Sequence, residues 1–371
     1  MSGASSDLEQ AVRSKFAVKE SFALPGQELE FQVVYDASTK DKFAQLEAEI
    51  RGSGYRPELS GTKEECVLVL RKTPPAPQNV SRWPVLLALF TMVSLVVFAI
   101  FEGQLYGQFA PSMSGYFVFL SFTVGIAALL GAHELGQRLV ARRRRAGHAG
   151  SYMVPWVGVL PPSLPSLGFV SSQRTPALNR DTLFDVVIAG PLAVLAVAVV
   201  MSAVGNLTAV QSPVLYQWVN ESKVTLSNPS AIQFALGSLL GPFMPVQAAG
   251  SLLVSPIADS AYVGFVLVFI GLLPMALFDG GFLVSAAWGE RAARGATYLS
   301  VLLLLLIDID NSTYWVVAIL AMLLAGRPAR LKLLDEVSPL STSRQWVFIG
   351  TLILAFLCLP APHTFATLPL P

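Results

Sequence analysis

The sequence has few charged residues and few cysteines, and each shortage excludes a class of protein. Only 13% of its 371 residues are charged, whereas a soluble globular domain carries about 25%. Because 53% of the residues are hydrophobic, this shortage indicates an integral membrane protein. The two cysteines, Cys66 and Cys358, are too few and too far apart for a disulfide framework or a cysteine-rich metal site. The net charge of +1 gives no indication of a nucleic-acid partner, and we expect none.

The N-terminal residues also lack the features of a targeting segment. They contain no apolar core of the kind that a signal peptide needs. Asp7, Glu9 and Glu20 argue against an organelle transit peptide, which is poor in acidic residues. We therefore expect the plasma membrane of a prokaryote as the location.

Residues 1–75 are predicted to form a small cytosolic α+β domain. Its predicted strands alternate apolar and polar residues, as half-buried strands do. Residues 40–54 carry apolar side chains at helical spacing and end at two glycines. This order indicates a βαβ-type or ferredoxin-like module with an accessory role, followed by a proline-rich linker over residues 76–82. The predicted strands are residues 16–23, 28–35 and 67–70.

Residues 83–371 are predicted to form a polytopic transmembrane helical bundle, so the fold class is mainly α. The apolar runs in this region are candidates for membrane spans. Two further stretches, 231–254 and 153–168, are apolar but interrupted by proline and glycine. We expect both to be re-entrant or interfacial walls of a cavity, because non-helical backbone at membrane depth must be buried in protein or line a cavity. The predicted spans are 84–101, 117–132, 183–204, 262–277, a possible hairpin of 296–307 and 314–325, and 346–359.

The distribution of Lys and Arg predicts the orientation in the membrane. Basic residues concentrate in the loops at 142–145, 174–180 and 327–344, whereas the loops at 102–115 and 308–312 carry none. Cytoplasmic loops of membrane proteins carry an excess of Lys and Arg. The basic loops and the N-terminal domain are therefore predicted to be cytosolic, and the C-terminus external.

One apolar helix carries a motif that points to chemistry. The sequence from His133 to Gln137 reads HELGQ, one residue away from HExxH. In HExxH, two histidines one helical turn apart face a metal, and the Glu takes a proton from metal-bound water. An ionisable pair within a membrane helix is costly and indicates a functional site. The alternative is that His133 and Glu134 lie at the helix end beside Arg138 and extend toward the cytosol.

A second intramembrane acid, Asp279, favours the functional interpretation. It lies in the segment Phe278-Asp279-Gly280-Gly281 at the end of a predicted span, and no basic residue is near it in the sequence. Imidazole and carboxylate are a suitable pair of zinc ligands. We expect His133 and Asp279 to approach within reach of one metal ion. Gln137 should lie one turn from His133 on the same helix face. The other histidines, His148 and His363, are predicted to lie too far away to replace the missing ligand.

These motifs together resemble the site-2 protease family of intramembrane zinc metalloproteases. The resemblance is closest to the branch of the ethylene-dependent gravitropism-deficient and yellow-green proteins and their prokaryotic relatives. It covers residues 83–362 and includes the basic tail after HELGQ, a Gly190-Pro191 pair within an apolar helix, and the segment 155–170. In this family the last segment corresponds to the strand region beside which an extended substrate pairs.

The resemblance implies a role for each matched residue. His133 and Asp279 would be zinc ligands, Glu134 the general base, and Gln137 a doubtful third ligand. Gly168, Phe169 and Gly271 would contact the substrate. The sequence departs from the family at Gln137, at Gly271, where an Asn is usual, and at Ser255-Pro256, where His-Pro is common.

Three functions remain open at this point. The first is an intramembrane metalloprotease-like protein that acts on transmembrane or membrane-associated protein segments, with zinc-dependent peptide hydrolysis weakened by Gln137. Its cofactor would be zinc, and its surroundings membrane lipid. The second is a catalytically inactive homologue that binds membrane-protein clients. The third is an ion-coupled transporter, for which the expected internal repeat is not clear in the sequence.

Overall fold

A computed structural model of the chain is mainly helical, with a small α+β unit at its N-terminal end. Three helices in the described part are long and apolar enough to cross a membrane. They have 27 to 29 residues, or about 40 Å at 1.5 Å per residue, against a hydrocarbon core of about 30 Å. The structure describes residues 3–25, 28–73, 82–146, 151–156, 164–171, 175–221, 229–276, 278–307, 314–325 and 332–360.

The N-terminal unit is a four-stranded antiparallel sheet with two helices. Strand order is β1-β2-β4-β3, and all neighbouring strands are antiparallel. Helix α2 therefore joins two strands that run in the same direction with a third strand between them, which is a split βαβ unit. The elements are α1 (Gly3–Lys15), β1 (Val18–Leu24), β2 (Glu28–Val33), α2 (Thr39–Ile50), β3 (Tyr55–Gly61) and β4 (Cys66–Lys72).

This sheet corrects the sequence prediction in two respects. The strand order is that of a ferredoxin-like sheet, but the chain visits the strands in circularly permuted order, beginning with α1 and ending with the central strand β4. Helix α1 and strand β3 were not predicted, because Arg56, Pro57 and Glu58 in β3 break an apolar pattern. The predicted apolar face of α2 is confirmed, since Phe43, Leu46 and Ile50 are buried.

The helical unit is arranged around a short helix that is apolar on all sides after its first turn, which contains Asp259. Helix α8 (Pro256–Leu272) is buried over most of its length and packs against α4 (Gly115–Arg143) and α5 (Arg180–Leu207). Helix α3 (Trp83–Phe109) packs against α4 from the other side. A helix that is hydrophobic all round is expected at the centre of a membrane or core assembly.

Several predicted spans match helices, although their ends differ. The predicted span 262–277 begins earlier, at Pro256, and ends earlier, at Leu272. It ends there because Pro274 has no N–H to donate and disfavours helical backbone in the preceding residue. The remaining helices are α9 (Asp279–Trp288), α10 (Glu290–Ile307), α11 (Trp315–Ala325) and α12 (Thr342–Cys358).

The two interrupted stretches contain no long helix in their described residues. Residues 231–254 form α7 (Ala231–Leu240), a 3-10 turn (Gly241–Phe243) and a short strand that pairs with another short strand. Ten helical residues are too short to cross a membrane, and the re-entrant or interfacial placement of this stretch stays a prediction. In the second stretch, β5 (Ser151–Pro155) and β6 (Ser166–Ser171) form an antiparallel pair. The remaining short elements are β7 (Val210–Ser212), α6 (Pro213–Asn220) and β8 (Leu252–Val254).

The N-terminal unit is joined to the helical unit through the segment before α12. Leu59 of β3 pairs in parallel with Asp335, and Ala177, just before α5, pairs with Leu333. Leu334 belongs to the core of the N-terminal unit. One extended segment thus connects the N-terminal sheet to the start of α5. The predicted division at residues 75 and 82 stays a prediction, since residues 74–81 lie outside the described part.

Candidate functional site

The HELGQ motif lies on the buried face of α4. His133 and Gln137 are 2% and 4% exposed, and Ile126 and Leu130 continue the same buried face toward the N-terminus. Residues four apart lie over one another on a helix, so this spacing directs the His133 and Gln137 side chains to the same neighbour. The predicted placement of Gln137 one turn from His133 is confirmed.

Asp279 is the first residue of α9. The two glycines that follow it lie against the turn that precedes it and leave no room for a side chain. A Cβ atom added to Gly280 would clash with the backbone of Leu273, and one added to Gly281 with the backbone of Met275. At the other end of α9, the Arg180 side chain donates to the carbonyl oxygens of Ser285 and Ala286 at 3.1 and 3.2 Å. The Ser285 carbonyl also accepts from the Gly289 N–H at 3.0 Å, so Arg180 adds a second donor in the last turn and stabilises the helix end. The fold thereby fixes the direction of α9 and of its first side chain.

Asp279 receives both predicted partners from α4. His133 Nε2 lies 2.6 Å from Asp279 Oδ2, and Gln137 Nε2 donates to Asp279 Oδ1 at 3.2 Å. Asp279 is 1% exposed. The expected approach of His133 and Asp279 is confirmed. The three side chains, called the polar centre below, form a hydrogen-bonded group in an apolar interior.

The first residue of β5 contacts both remaining polar positions of the motif. Ser151 Oγ donates to Gln137 Oε1 at 2.9 Å, and the Ser151 backbone N–H donates to Glu134 Oε2 at 3.3 Å. Arg138 Nε donates to Glu134 Oε1 at 2.7 Å. Glu134 is therefore held on the side of α4 that faces β5 and the basic tail of the helix.

The His133 ring is enclosed by an aromatic ring and a glycine. Phe169 of β6 stacks on it with a centroid distance of 3.7 Å and an interplanar angle of 3°. A Cβ atom at Gly190 of α5 would lie 2.6 Å from His133 Nε2, so only glycine leaves room for the imidazole. His133 Nδ1 is buried and has no hydrogen-bond partner among the described residues.

The other predicted residues have different outcomes. Gly168 has φ +102°, which favours glycine at this point of β6. Gly271 is buried near the end of α8, and a Cβ added there would meet no atom within 4 Å. Substrate contact by Gly168, Phe169 and Gly271 stays a prediction. His148 and His363 lie outside the described residues.

Sequence reasoning missed two residues that shape this site. Ser151 is separated from HELGQ by the basic tail, and an isolated serine gives no sequence signal. The steric role of Gly190 was also missed, although the Gly190-Pro191 pair itself was recognised. A glycine followed by proline inside an apolar helix is unusual enough to indicate close packing against a neighbour.

Comparisons with known proteins identify the family of the chain. The model of peptidase family M50 matches residues 121–307, about half of the chain. The chain is 27% identical to the probable zinc metalloprotease EGY2, chloroplastic, of Oryza sativa subsp. indica over 254 residues, which are 64% of this chain and 42% of the relative. It is 27% identical to the Arabidopsis thaliana protein of the same name, over 64% of this chain and 41% of the relative. The probable zinc metalloprotease EGY1, chloroplastic, of Arabidopsis thaliana is 25% identical over 47% of this chain and 30% of the relative. No solved structure matches the chain significantly.

The fold and these matches define a membrane protein of the intramembrane metalloprotease class. The chain belongs to peptidase family M50, the site-2 protease family, and within it to the branch similar to the EGY proteins. It spans about four tenths of the length of the EGY2 proteins that it matches.

The family names imply zinc, and the residues present do not fit a catalytic zinc site. Such a site needs three protein ligands and a water molecule. His133 and Asp279 supply two suitable groups, but Gln137 directs its amide nitrogen, which has no lone pair for a metal, toward Asp279. Within the described ranges, no group of three or more His, Cys, Asp and Glu side chains could hold a metal ion.

Proposed function

We propose that this protein is a site-2-protease-like membrane protein that binds extended segments of membrane-protein clients beside β5 and β6. The observation that carries the proposal is the orientation of Gln137, whose amide nitrogen faces Asp279 where a third zinc ligand would be needed. The segment to which the resemblance assigns substrate pairing forms the β5–β6 pair, whereas the metal donor set is incomplete. Binding without efficient hydrolysis follows from this combination.

The location of the proposed binding region rests on the β5–β6 pair. An extended chain can add to the edge of a sheet through backbone hydrogen bonds, with side-chain pockets providing selectivity. Strand β5 contacts the polar centre through Ser151, and β6 contacts it through Phe169. A client strand that pairs with this sheet would therefore pass close to His133 and Glu134.

Peptide hydrolysis is the second candidate function. It is favoured by the convergence of His133 and Asp279 at 2.6 Å and by the presence of Glu134 next to His133. If this candidate is correct, Gln137 is tolerated as a weak ligand and Glu134 is the general base.

We also propose the membrane arrangement that the sequence predicts. The chain would be a polytopic bundle from about residue 83, with residues 1–75 as a cytosolic domain and residues 76–82 as a linker, in the plasma membrane of a prokaryote. The joint between the two units supports this arrangement, because the basic residues Lys40, Arg144 and Arg344 all pair with acids at the start of α5. The plant relatives are named chloroplastic, so a chloroplast membrane is the alternative.

Photo-crosslinking separates the two candidate functions. A benzophenone amino acid is placed at Tyr152 of β5, and in a control protein at the exposed Tyr298 of α10. Each protein is reconstituted with a synthetic transmembrane peptide whose centre contains helix-breaking glycine and proline. We expect a cross-link to intact peptide from position 152 and none from position 298. Cleavage that requires zinc and disappears in Glu134→Ala would support hydrolysis instead, and absence of any cross-link from position 152 would reject client binding at β5.

A further inference from the structure

We propose that the Gln137 amide takes the place of a zinc ion in joining α4 to α9, and that Ser151 is the positioning residue that holds the outer end of the side chain at position 137. In this arrangement the polar centre is a metal-independent assembly that holds three separate elements together. Helix α4 contributes His133 and Gln137, α9 contributes Asp279, and β5 contributes Ser151.

The hydrogen-bond pattern permits only one orientation of the amide. Gln137 Nε2 donates to the Asp279 carboxylate, and Gln137 Oε1 accepts from the Ser151 hydroxyl. Rotating the amide by half a turn would place Oε1 at 3.2 Å from Asp279 Oδ1. Two oxygen atoms that both only accept cannot form a hydrogen bond. Asp279 therefore sets the orientation, and the Ser151 hydroxyl, which can donate or accept, donates to the amide oxygen that this orientation directs toward β5.

In this orientation, the nitrogen and oxygen atoms that would bind a zinc ion form hydrogen bonds with one another. Because a carboxylate oxygen only accepts, His133 Nε2 carries the proton in its contact with Asp279. A histidine must present an unprotonated nitrogen to a metal. Both oxygens of Asp279 are engaged by the two N–H donors. The remaining ring nitrogen, His133 Nδ1, is buried without a hydrogen-bond partner among the described residues.

The same geometry predicts how an imidazole at position 137 would behave. The Nε2 atom of a histidine lies about as far along the side chain as the amide nitrogen of Gln137. Its Nδ1–H could then donate to Ser151 Oγ, in the way that metal-ligating histidines donate their second N–H to an oxygen. Ser151 would thus be the hydrogen-bond partner of a histidine ligand at position 137, although the present chain has glutamine there.

The test compares metal binding and thermal stability of the full chain purified in detergent. Zinc content is measured by elemental analysis after chelation and again after incubation with zinc chloride. We expect the wild type to bind little zinc and to show the same melting temperature with chelator and with zinc. Gln137→His should bind about one zinc ion per chain and should melt at a higher temperature when zinc is present.

The role of Ser151 is tested in the Gln137→His protein. Adding Ser151→Ala should weaken zinc binding by about 10- to 100-fold, the usual effect of removing an outer partner of a metal ligand. The matched control is Ser166→Ala on β6, whose hydroxyl donates to the Val154 carbonyl oxygen and not to the polar centre. A purely structural role of Ser151 would lower the melting temperature without changing zinc affinity relative to this control.

Two results would overturn the proposal. The first is measured on the wild-type protein alone. Near-stoichiometric zinc in the wild type, with a melting temperature that falls on chelation, would show that zinc and not the amide joins the helices. Equal zinc affinity with and without the Ser151 hydroxyl would remove Ser151 as a positioning residue. Neither measurement uses a client, so failure of client binding in the cross-linking experiment would leave this inference standing.

Discussion

Two polar groups of the protein differ in burial and in the charges that they contain. The polar centre combines one carboxylate with an imidazole and an amide, and all three side chains are buried. The second group, called the charged seam here, lies where the N-terminal unit meets α5 and consists of full charges in partly exposed positions. Its members are Lys40, Arg144, Asp181, Asp185 and Arg344.

The difference between the two groups follows from the cost of removing charge from water. Asp181 and Asp185 each contact two basic side chains, and their own side chains keep 16% and 18% exposure. Water thus continues to solvate these charges. In the polar centre Asp279 is 1% exposed, and a second charge there would need full compensation. In the buried polar centre, N–H donors satisfy a single carboxylate. In the partly exposed charged seam, several charged side chains lie close together because water solvates them.

Removing the central carboxylate should have the largest effect on stability. Asp279→Ala leaves the His133 and Gln137 N–H groups buried without an acceptor, so we expect the free energy of unfolding to fall by about 3–5 kcal/mol. The matched change in the seam, Asp181→Ala, should cost only about 1–2 kcal/mol because Lys40 and Arg344 can be solvated. Unfolding of both variants in mixed micelles checks the difference. Equal losses would show that burial does not distinguish the two groups.

Filling the space next to His133 should have an intermediate effect. Gly190→Ala places a methyl group 2.6 Å from His133 Nε2, so the imidazole must move away from Asp279, at a cost of about 1–3 kcal/mol. Gly131→Ala on α4 is the control, since a Cβ there meets no atom within 4 Å. That change should be neutral or stabilising by up to about 1 kcal/mol through helix propensity. Thermal unfolding of the pair measures both, and a neutral Gly190→Ala would contradict the close packing.

Breaking the strand pairing beside the seam should loosen one unit without changing the polar centre. Leu334→Asp puts a charged side chain into the N-terminal core and should displace the segment whose Leu334 carbonyl oxygen accepts from the Leu59 N–H. A loss of about 1–3 kcal/mol should speed hydrogen exchange in β3 by roughly tenfold or more. The control Lys40→Ala removes a partly exposed ion pair and a side-chain hydrogen bond to the Pro339 carbonyl oxygen, but it leaves Leu334 in the core and should leave β3 exchange nearly unchanged. If both variants exchange alike, the charges and not the strand join the units.

The smallest effect is a loss of stability at alkaline pH that depends on the Cys66 thiol beside this joint. At neutral pH the loss does not occur. Burial, and secondly the charge of Asp335, raises the pKa of the Cys66 thiol to about 11 from its usual 9.0. A raised folded-state pKa contributes stability that is present below pH 9 and is lost as pH rises toward 11. Cys66→Ala should lack this loss. At pH 8 the smaller thiolate fraction should slow alkylation of Cys66 by about 100-fold relative to unfolded protein; fast alkylation would show that the joint opens readily.

Much of the helical unit could be predicted because its signals are local. Apolar runs predicted α3, α4, α5 and α12, although α3 and α4 extend 8 and 11 residues beyond their predicted ends at residues 101 and 132. The predicted end of α8 was wrong because the apolar residues continue past Leu272, whereas Pro274 ends the helix. In the N-terminal unit, β3 was missed because its residues become strand only through pairing with β4 and with the segment around Asp335.

The sequence by itself determined which residue types stand at the centre of this protein. HELGQ and the FDGG segment already indicated a His, a Glu and an Asp in apolar surroundings, and the glutamine in place of the second metal-binding histidine. Only the tertiary structure decided what that glutamine does, because an amide has two chemically different ends and its orientation depends on partners far away in the chain. Asp279 comes from α9 and Ser151 from β5, and their meeting at Gln137 depends on the packing of α4 against Gly190 of α5 and on the turn before Asp279.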